Sequence, residues 1–282
     1  MGFRNNNFIE RSVTSALAFL KGSILSDEIA LKKGFLQSID PRIKVVSFTL
    51  FLVSVLFIRS ILLLIFLYLA CLLLAHLSKI KLGFFLKRTW IFIPLFSLFI
   101  AIPALFSGFT PGESLFTFRA LGIKLIITRP GLFGAILFVV RVVTCVSFVI
   151  LLGLVTRHNE LLSVLRIFRV PQVFIMTLSM CYRYVYLFIE IIENTYLAIK
   201  SRVGIKIHYR RGQKIVAWNI ANLWQRSRQL NEEVYNAMLS RGYTGEPRIL
   251  DEFKTNAIDW AWLFSTIAIS VSVVFLDRLW MT

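Results

Sequence analysis

Charge is scarce in this sequence, and most of it has one sign. Only 17% of the 282 residues are charged, against about a quarter in soluble domains, and 32 basic residues stand against 15 acidic ones. The scarcity excludes an ordinary soluble globule. The basic excess lies in a few stretches between apolar runs and points to a cytoplasmic leaflet or an acidic partner, not to nucleic acid. Cysteine is nearly absent: Cys71, Cys145 and Cys181 sit singly in apolar surroundings, without CxxC or Cys/His spacing. That excludes a disulfide framework and a thiolate metal site, and leaves packing. The three histidines, His76, His158 and His208, are far apart and read as surface or interface residues. There is no GxxxxGK[ST], no HExxH, no GxSxG and no paired-acid motif for Mg²⁺-diphosphate. The chain is therefore expected to be no enzyme and to bind no ATP, cofactor or metal of its own.

What is present is apolar length. The sequence is 57% hydrophobic with a mean hydropathy of +0.74. Runs at about Ile43–Ile58, Ile61–Leu77, Trp90–Phe106, Leu132–Val155 and Ile258–Leu276 are long enough, or nearly so, to cross a hydrocarbon core of about 30 Å. Only Arg59 and Ser60 separate the first two, which makes a tight helical hairpin. Pro94 and Pro103 kink or break the third. Arg141 is the charge inside the fourth; at that depth it must face a partner, either as an interhelical hydrogen bond or in a functional role.

Arg42 and Lys44 precede the first span, and Lys79, Lys81, Lys87 and Arg88 follow the second. The positive-inside rule then places the N-terminus in the cytoplasm. Residues 107–129 fall outside despite Arg119, Lys124 and Arg129; their Pro, Gly and Thr content suits an external loop with a re-entrant or interfacial piece near Leu121–Thr128. The stretch from Pro171 to Lys200 would be a sixth span by hydropathy. Arg183, Glu190 and Glu193 punctuate it, however, and a crossing would put the basic region 200–254 outside. We read Pro171–Arg202 as an amphipathic helix along or just under the membrane, which leaves five spans, or six if it crosses. Residues 156–256 then lie in the cytoplasm, with 15 basic against 8 acidic residues.

A short helix from Asn159 to Phe168 should precede this one, and a second long helix, Gly212–Gly242, should follow. In the latter Val216, Ile220, Leu223, Leu230, Val234 and Met238 form one apolar stripe. Gly242 is a natural C-cap and Arg241 complements the helix dipole. Both long helices end in Ser-Arg: Ser201-Arg202 and Ser240-Arg241. An arginine at a helix tip offers a planar fork of donors for an acidic groove; the plainer reading is a C-terminal cap. At the other end of the chain, residues 8–37 read as an amphipathic helix on the cytoplasmic surface and not as a signal peptide, since Glu10 and Lys21 flank a short apolar core.

The two Ser-Arg helix ends, "SIDPRIKVV" before the first span and "NEEVYNAMLSRGYTG" before the last resemble the T component of energy-coupling factor transporters, cobalt/nickel type (CbiQ-like). The resemblance runs from about Phe8 to the last span and is most specific over Glu233–Gly245. It implies an all-α integral membrane protein with a cytoplasmic coupling module of two long crossing helices. The division is then an N-terminal segment (1–42), transmembrane helices one to four (43–155), the coupling module (156–256) and a C-terminal transmembrane helix (257–282). It implies a scaffold in the cell membrane that transmits the motion of two ABC ATPase subunits, which use the ATP, to a metal-binding, CbiM-like substrate-capture subunit. The family's arginine motifs fall on Ser201 and Arg202, and on Ser240, Arg241 and Gly242. The first has Val203 where the family has glycine. The alternative is a permease of another ABC importer or a stand-alone secondary transporter, for which paired inverted repeats are lacking.

Overall fold

A computed structural model describes residues 30–32, 34–90, 93–104, 114–120, 123–203, 209–245 and 255–281; most of the expected N-terminal amphipathic helix lies outside them. The elements are α1 (Pro41–Phe57), α2 (Ile61–Leu77), α3 (Leu82–Trp90), α4 (Ile93–Ala104), β1 (Ser114–Ala120), β2 (Ile123–Thr128), α5 (Arg129–Val155), α6 (His158–Val164), α7 (Gln172–Val203), α8 (Tyr209–Ser240) and α9 (Ala257–Met281), with 3₁₀ turns at Leu36–Ser38 and Leu165–Phe168. The chain is α-helical, as expected, apart from β1 and β2. These form an antiparallel hairpin where a loop was expected. The described residues fall into two compact units, one within 162–252 and the other within 27–161 and 253–282.

The larger unit is built around α5, which touches α1, α2, α3 and α4. Phe148 of α5 stacks on Phe51 of α1 at a centroid distance of 5.2 Å and meets Phe48 edge-on at 6.1 Å, both favourable aromatic geometries. On α2 the buried residues Leu64, Leu67, Cys71 and Ala75 recur at steps of three and four and face this core. Leu62, Phe66, Leu69 and Leu73 form an opposite stripe that is exposed and equally apolar. In water such a surface would aggregate, whereas in a bilayer it is solvated. Arg129–Val155, Gln172–Ile199 and Ala257–Leu279 are long and apolar enough to cross a membrane, and Ile61–Leu77 is a shorter apolar helix. This is a membrane protein. Gln172–Ile199 meets that measure of length and composition although the charge bias argues against its crossing.

Local sequence explains the helix ends. Pro41 occupies the first helical turn of α1, and the Asp40 side chain accepts from the Arg42 N–H at 2.8 Å, a standard N-cap. Thr128 caps α5 in the same way, accepting from Gly131 N–H at 3.3 Å. Of the expected third span, Trp90–Phe106, the described residues contain Trp90 at the end of α3 and the whole of α4. Pro94 sits in the first turn of α4, where a missing N–H costs nothing, and Pro103 near its end.

The last helix runs parallel to the first. Asp259 accepts from Asp40 N–H at 3.1 Å, Thr266 donates to Ser47 Oγ at 3.4 Å, and Asp277 accepts from Arg59 N–H at 3.0 Å. These pairs keep a nearly constant sequence offset of 219, 219 and 218 residues. Helix α5 runs the other way, with Phe148 beside Phe51 and Arg141 beside Ile58. One end of the unit therefore gathers residues 34–44, the α2–α3 turn, the exit at 156–160 and the return at 255–259. Gln37 Nε2 donating to Ser78 O at 3.1 Å ties the turn in. The opposite end holds Ile58–Ser60 and Asp277.

In the smaller unit α7 and α8 run antiparallel. The start of α7 lies beside the end of α8, where the Tyr243 hydroxyl reaches Met176 Sδ at 3.6 Å. Farther along, Phe188 of α7 faces Ile220, Leu223, Trp224 and Ser227 of α8 across an open apolar cleft of about 330 Å³. The sequence periodicity located the stripe of α8 only in part. Leu223, Leu230, Val234 and Met238 are half-buried as expected, but Val216 and Ile220 are exposed and Ile215 and Asn219 take the inner positions. Phe168 ends the short helix as expected, and the turn closes through Arg169 in the left-handed region.

Candidate functional site

The two Ser-Arg ends share one local design. Ser201 Oγ donates to Ala198 O at 2.8 Å and Ser240 Oγ to Ala237 O at 2.9 Å. Each serine thus returns its hydroxyl to the carbonyl three residues back, a local bond that serine makes readily near helix ends. The arginine that follows is exposed in both cases.

The end of α8 is the more completely built. Tyr243 N–H donates to Met238 O and Gly242 N–H to Leu239 O, both at 3.0 Å. This is the paired closure of a Schellman cap, with Gly242 at φ +81° supplying the left-handed residue it requires. A Cβ at Gly242 would meet nothing within 4 Å, so the glycine is there for its backbone and not for space. Tyr243 fastens the loop twice, to Met176 Sδ of α7 and to Gly245 O at 3.1 Å. Sequence alone assigns this tyrosine no role; its one local signal is the "GYTG" spacing, in which Gly242 and Gly245 both take positive φ. Arg202 lies one residue before the last residue of α7, Val203.

The antiparallel pairing separates the two arginines. Phe188 to Arg202 and Ser227 to Arg241 are both 14 residues, measured from the cleft where the helices meet, or about 21 Å at 1.5 Å per residue. The tips therefore point in opposite directions and lie roughly 40 Å apart. Among the described residues neither guanidinium has a carboxylate or carbonyl partner, whereas Arg157 pairs with Glu160 at 3.8 Å. Each long helix thus holds an exposed planar cation near its end, a group whose donors match carboxylate or carbonyl acceptors.

Among the described residues no group of His, Cys, Asp or Glu could hold a metal. His76 is exposed, His158 half-buried, and His208 lies outside the described residues. Arg141 has the interhelical partner expected of it, donating from Nη2 to Ile58 O at 2.7 Å. Arg141 is not the one ionisable group held at the helices of this unit: Lys44 of α1 is buried, and so are Asp259 and Asp277 at the two ends of α9. The two aspartates accept backbone N–H groups about 218 positions away in sequence, a pairing that local pattern cannot reveal.

The description "cobalt transport protein" (CbiQ) belongs to the family model that matches residues 32–250. Two curated relatives come from Methanocaldococcus jannaschii, and both are described as uncharacterized. MJ1571 is 35% identical over 274 residues, covering 97% of this chain and 94% of that one. MJ1089 is 25% identical over 256 residues, covering 86% and 89%.

Proposed function

The chain belongs to the CbiQ cobalt transport protein family, and from that premise we propose that it is the coupling subunit of an energy-coupling-factor importer for cobalt or nickel. In this reading it is a multi-pass protein of the cell membrane with five crossings and a cytoplasmic N-terminus. Residues 156–256 form its cytoplasmic coupling module. Two ABC ATPase subunits bind and hydrolyse ATP, since this chain has no phosphate-binding loop, and a metal-binding membrane subunit captures the ion.

The observation that carries the proposal is the pair of matched helix tips. Arg202 and Arg241 are exposed, unengaged among the described residues and turned in opposite directions, which suits one ATPase at each tip. Connectivity supports the topology. The chain leaves the larger unit at 156–160 and returns at 255–259 on the same end, so the intervening segment must cross the membrane an even number of times. If α7 crossed, α8 would have to cross back. Helix α8 carries Lys214, Arg226, Arg228, Glu232 and Glu233, and charges at the bilayer centre cost a few kcal/mol each or more. Two non-crossing helices satisfy the count at no such cost. The end that gathers Arg42, Lys44, Lys79, Lys81 and Arg157 is then the cytoplasmic one.

The test is purification from the native membrane together with transport. A coupling subunit emerges with ATPases and a small membrane partner. The Arg202→Ala/Arg241→Ala variant folds and inserts, but loses the ATPases and ATP-driven metal uptake. Normal uptake by that variant refutes the role of the tips. A chain that purifies alone and transports unaided is a secondary transporter.

A further inference from the structure

Lys44 is a charge that the coupling role has not used. It stands one turn into α1, three residues after Pro41, and only 1% of it is exposed. A buried ammonium is costly unless a carboxylate pairs with it, and an ionisable group held at a membrane helix marks a functional position. Lys44 meets the pairing rule only in part. Its Nζ donates one hydrogen bond, to Gln37 O at 3.3 Å, although an ammonium carries three donors. The carboxylates of Glu160, Asp40 and Asp259 all attract it, yet among the described residues none closes on it as an ion pair.

Two of these carboxylates are fixed by backbone. Asp40 caps α1 through the Arg42 N–H, and Asp259 accepts from Asp40 N–H and, at 2.7 Å, from Asn256 N–H. Glu160 is different. It is held by Arg157 at 3.8 Å, through side chains that are both partly exposed, the kind of ion pair that contributes least. The surroundings also have bonds still to make: Gln37 Oε1 and Thr156 Oγ1 are buried without a partner, whereas buried polar atoms are nearly always bonded. Gln37 supplies the carbonyl that Lys44 uses, and Thr156 ends α5 four residues before Glu160. All these residues belong to the larger unit, and α6, which carries Glu160, leads the chain into residues 162–252.

We propose that Lys44 and Glu160 are positioning residues for coupling: when the coupling module is displaced, Glu160 leaves Arg157 and closes on the Lys44 ammonium. The motion of α6 is then passed to α1 and, through the bond between Asp40 and Asp259, to α9. A charge pair closed in the interior is stronger than one in water, so the exchange gives α6 two defined positions instead of a continuous range. The inference deepens the proposed coupling role and rests on it.

The test uses the complex purified with its ATPases and reconstituted in vesicles, with ATP hydrolysis and uptake of radioactive cobalt measured on one preparation. Glu160→Gln and Lys44→Met should each assemble and hydrolyse ATP as the wild type does, while cobalt taken up per ATP falls about tenfold, the size of an ordinary coupling effect. The double variant should lose no more than either single one, because both remove the same contact. Should Lys44→Met fail to insert, the partly exposed Glu160 still decides the matter. Wild-type uptake per ATP in Glu160→Gln, or losses that add in the double variant, would overturn the joint and leave coupling itself in place. A wild-type chain that purifies without ATPases would remove the coupling reading, and the joint with it.

Discussion

Asp277 holds the tight turn between α1 and α2 from one side, and Arg141 holds it from the other. The aspartate accepts from Arg59 N–H at 3.2 and 3.0 Å and from Ser60 N–H at 2.8 Å, while Arg141 takes the Ile58 carbonyl. Ser60 makes no side-chain cap of its own for α2; the carboxylate of α9 instead takes the two N–H groups just before the helix. An unsatisfied buried donor costs about 1–3 kcal/mol. Asp277→Ala should lower stability by roughly that amount, read as loss of monodisperse protein after heating in detergent. Asp277→Asn, which keeps one acceptor oxygen, should lose less. Equal stability of both variants and the wild type would show that the turn does not depend on this contact. The arginine was legible from its isolation in an apolar run. The aspartates were not, because each sits at a helix end, where an acid is unremarkable until its distant partner is known.

Among the elements, helices and caps were the most legible. The short separation of the first two spans, Pro41 after Asp40, Gly242 after Arg241 and the length of α7 and α8 all follow from local chemistry. The hairpin was missed although its alternation is written in "FTFRA" and "IKLII", because the Pro, Gly and Thr around it suggested a loop. The inner face of α8 was placed a residue off in its first half, since Val216 and Ile220 are apolar yet exposed, and periodicity cannot say which flank of a wide stripe is covered. The stiffness of α8 carries a prediction of its own. Two alanines inserted between Leu230 and Asn231 should leave the helix intact but turn its tip by about 200° and advance it by about 3 Å. If α8 is a rigid lever, ATP-driven uptake falls to background while the protein remains in the membrane at wild-type amounts. Uptake that tolerates the insertion would mean that the orientation of Arg241 is immaterial.

At the scale of the whole molecule, composition reaches the membrane, but not the order of neighbours. That α9 lies parallel to α1 at a constant offset follows from contacts between residues some 219 positions apart, and that parallel pairing is what returns both ends of residues 156–256 to one side. Everything in the functional account follows from that side being the one where nucleotide is hydrolysed. The most direct measurement is a photo-crosslinking residue in place of Thr244, three positions beyond Arg241, in cells that take up metal. The account predicts an ultraviolet-dependent adduct with an ATPase subunit, diminished by Arg241→Ala. An adduct confined to this chain, or none at all while uptake proceeds, would contradict it.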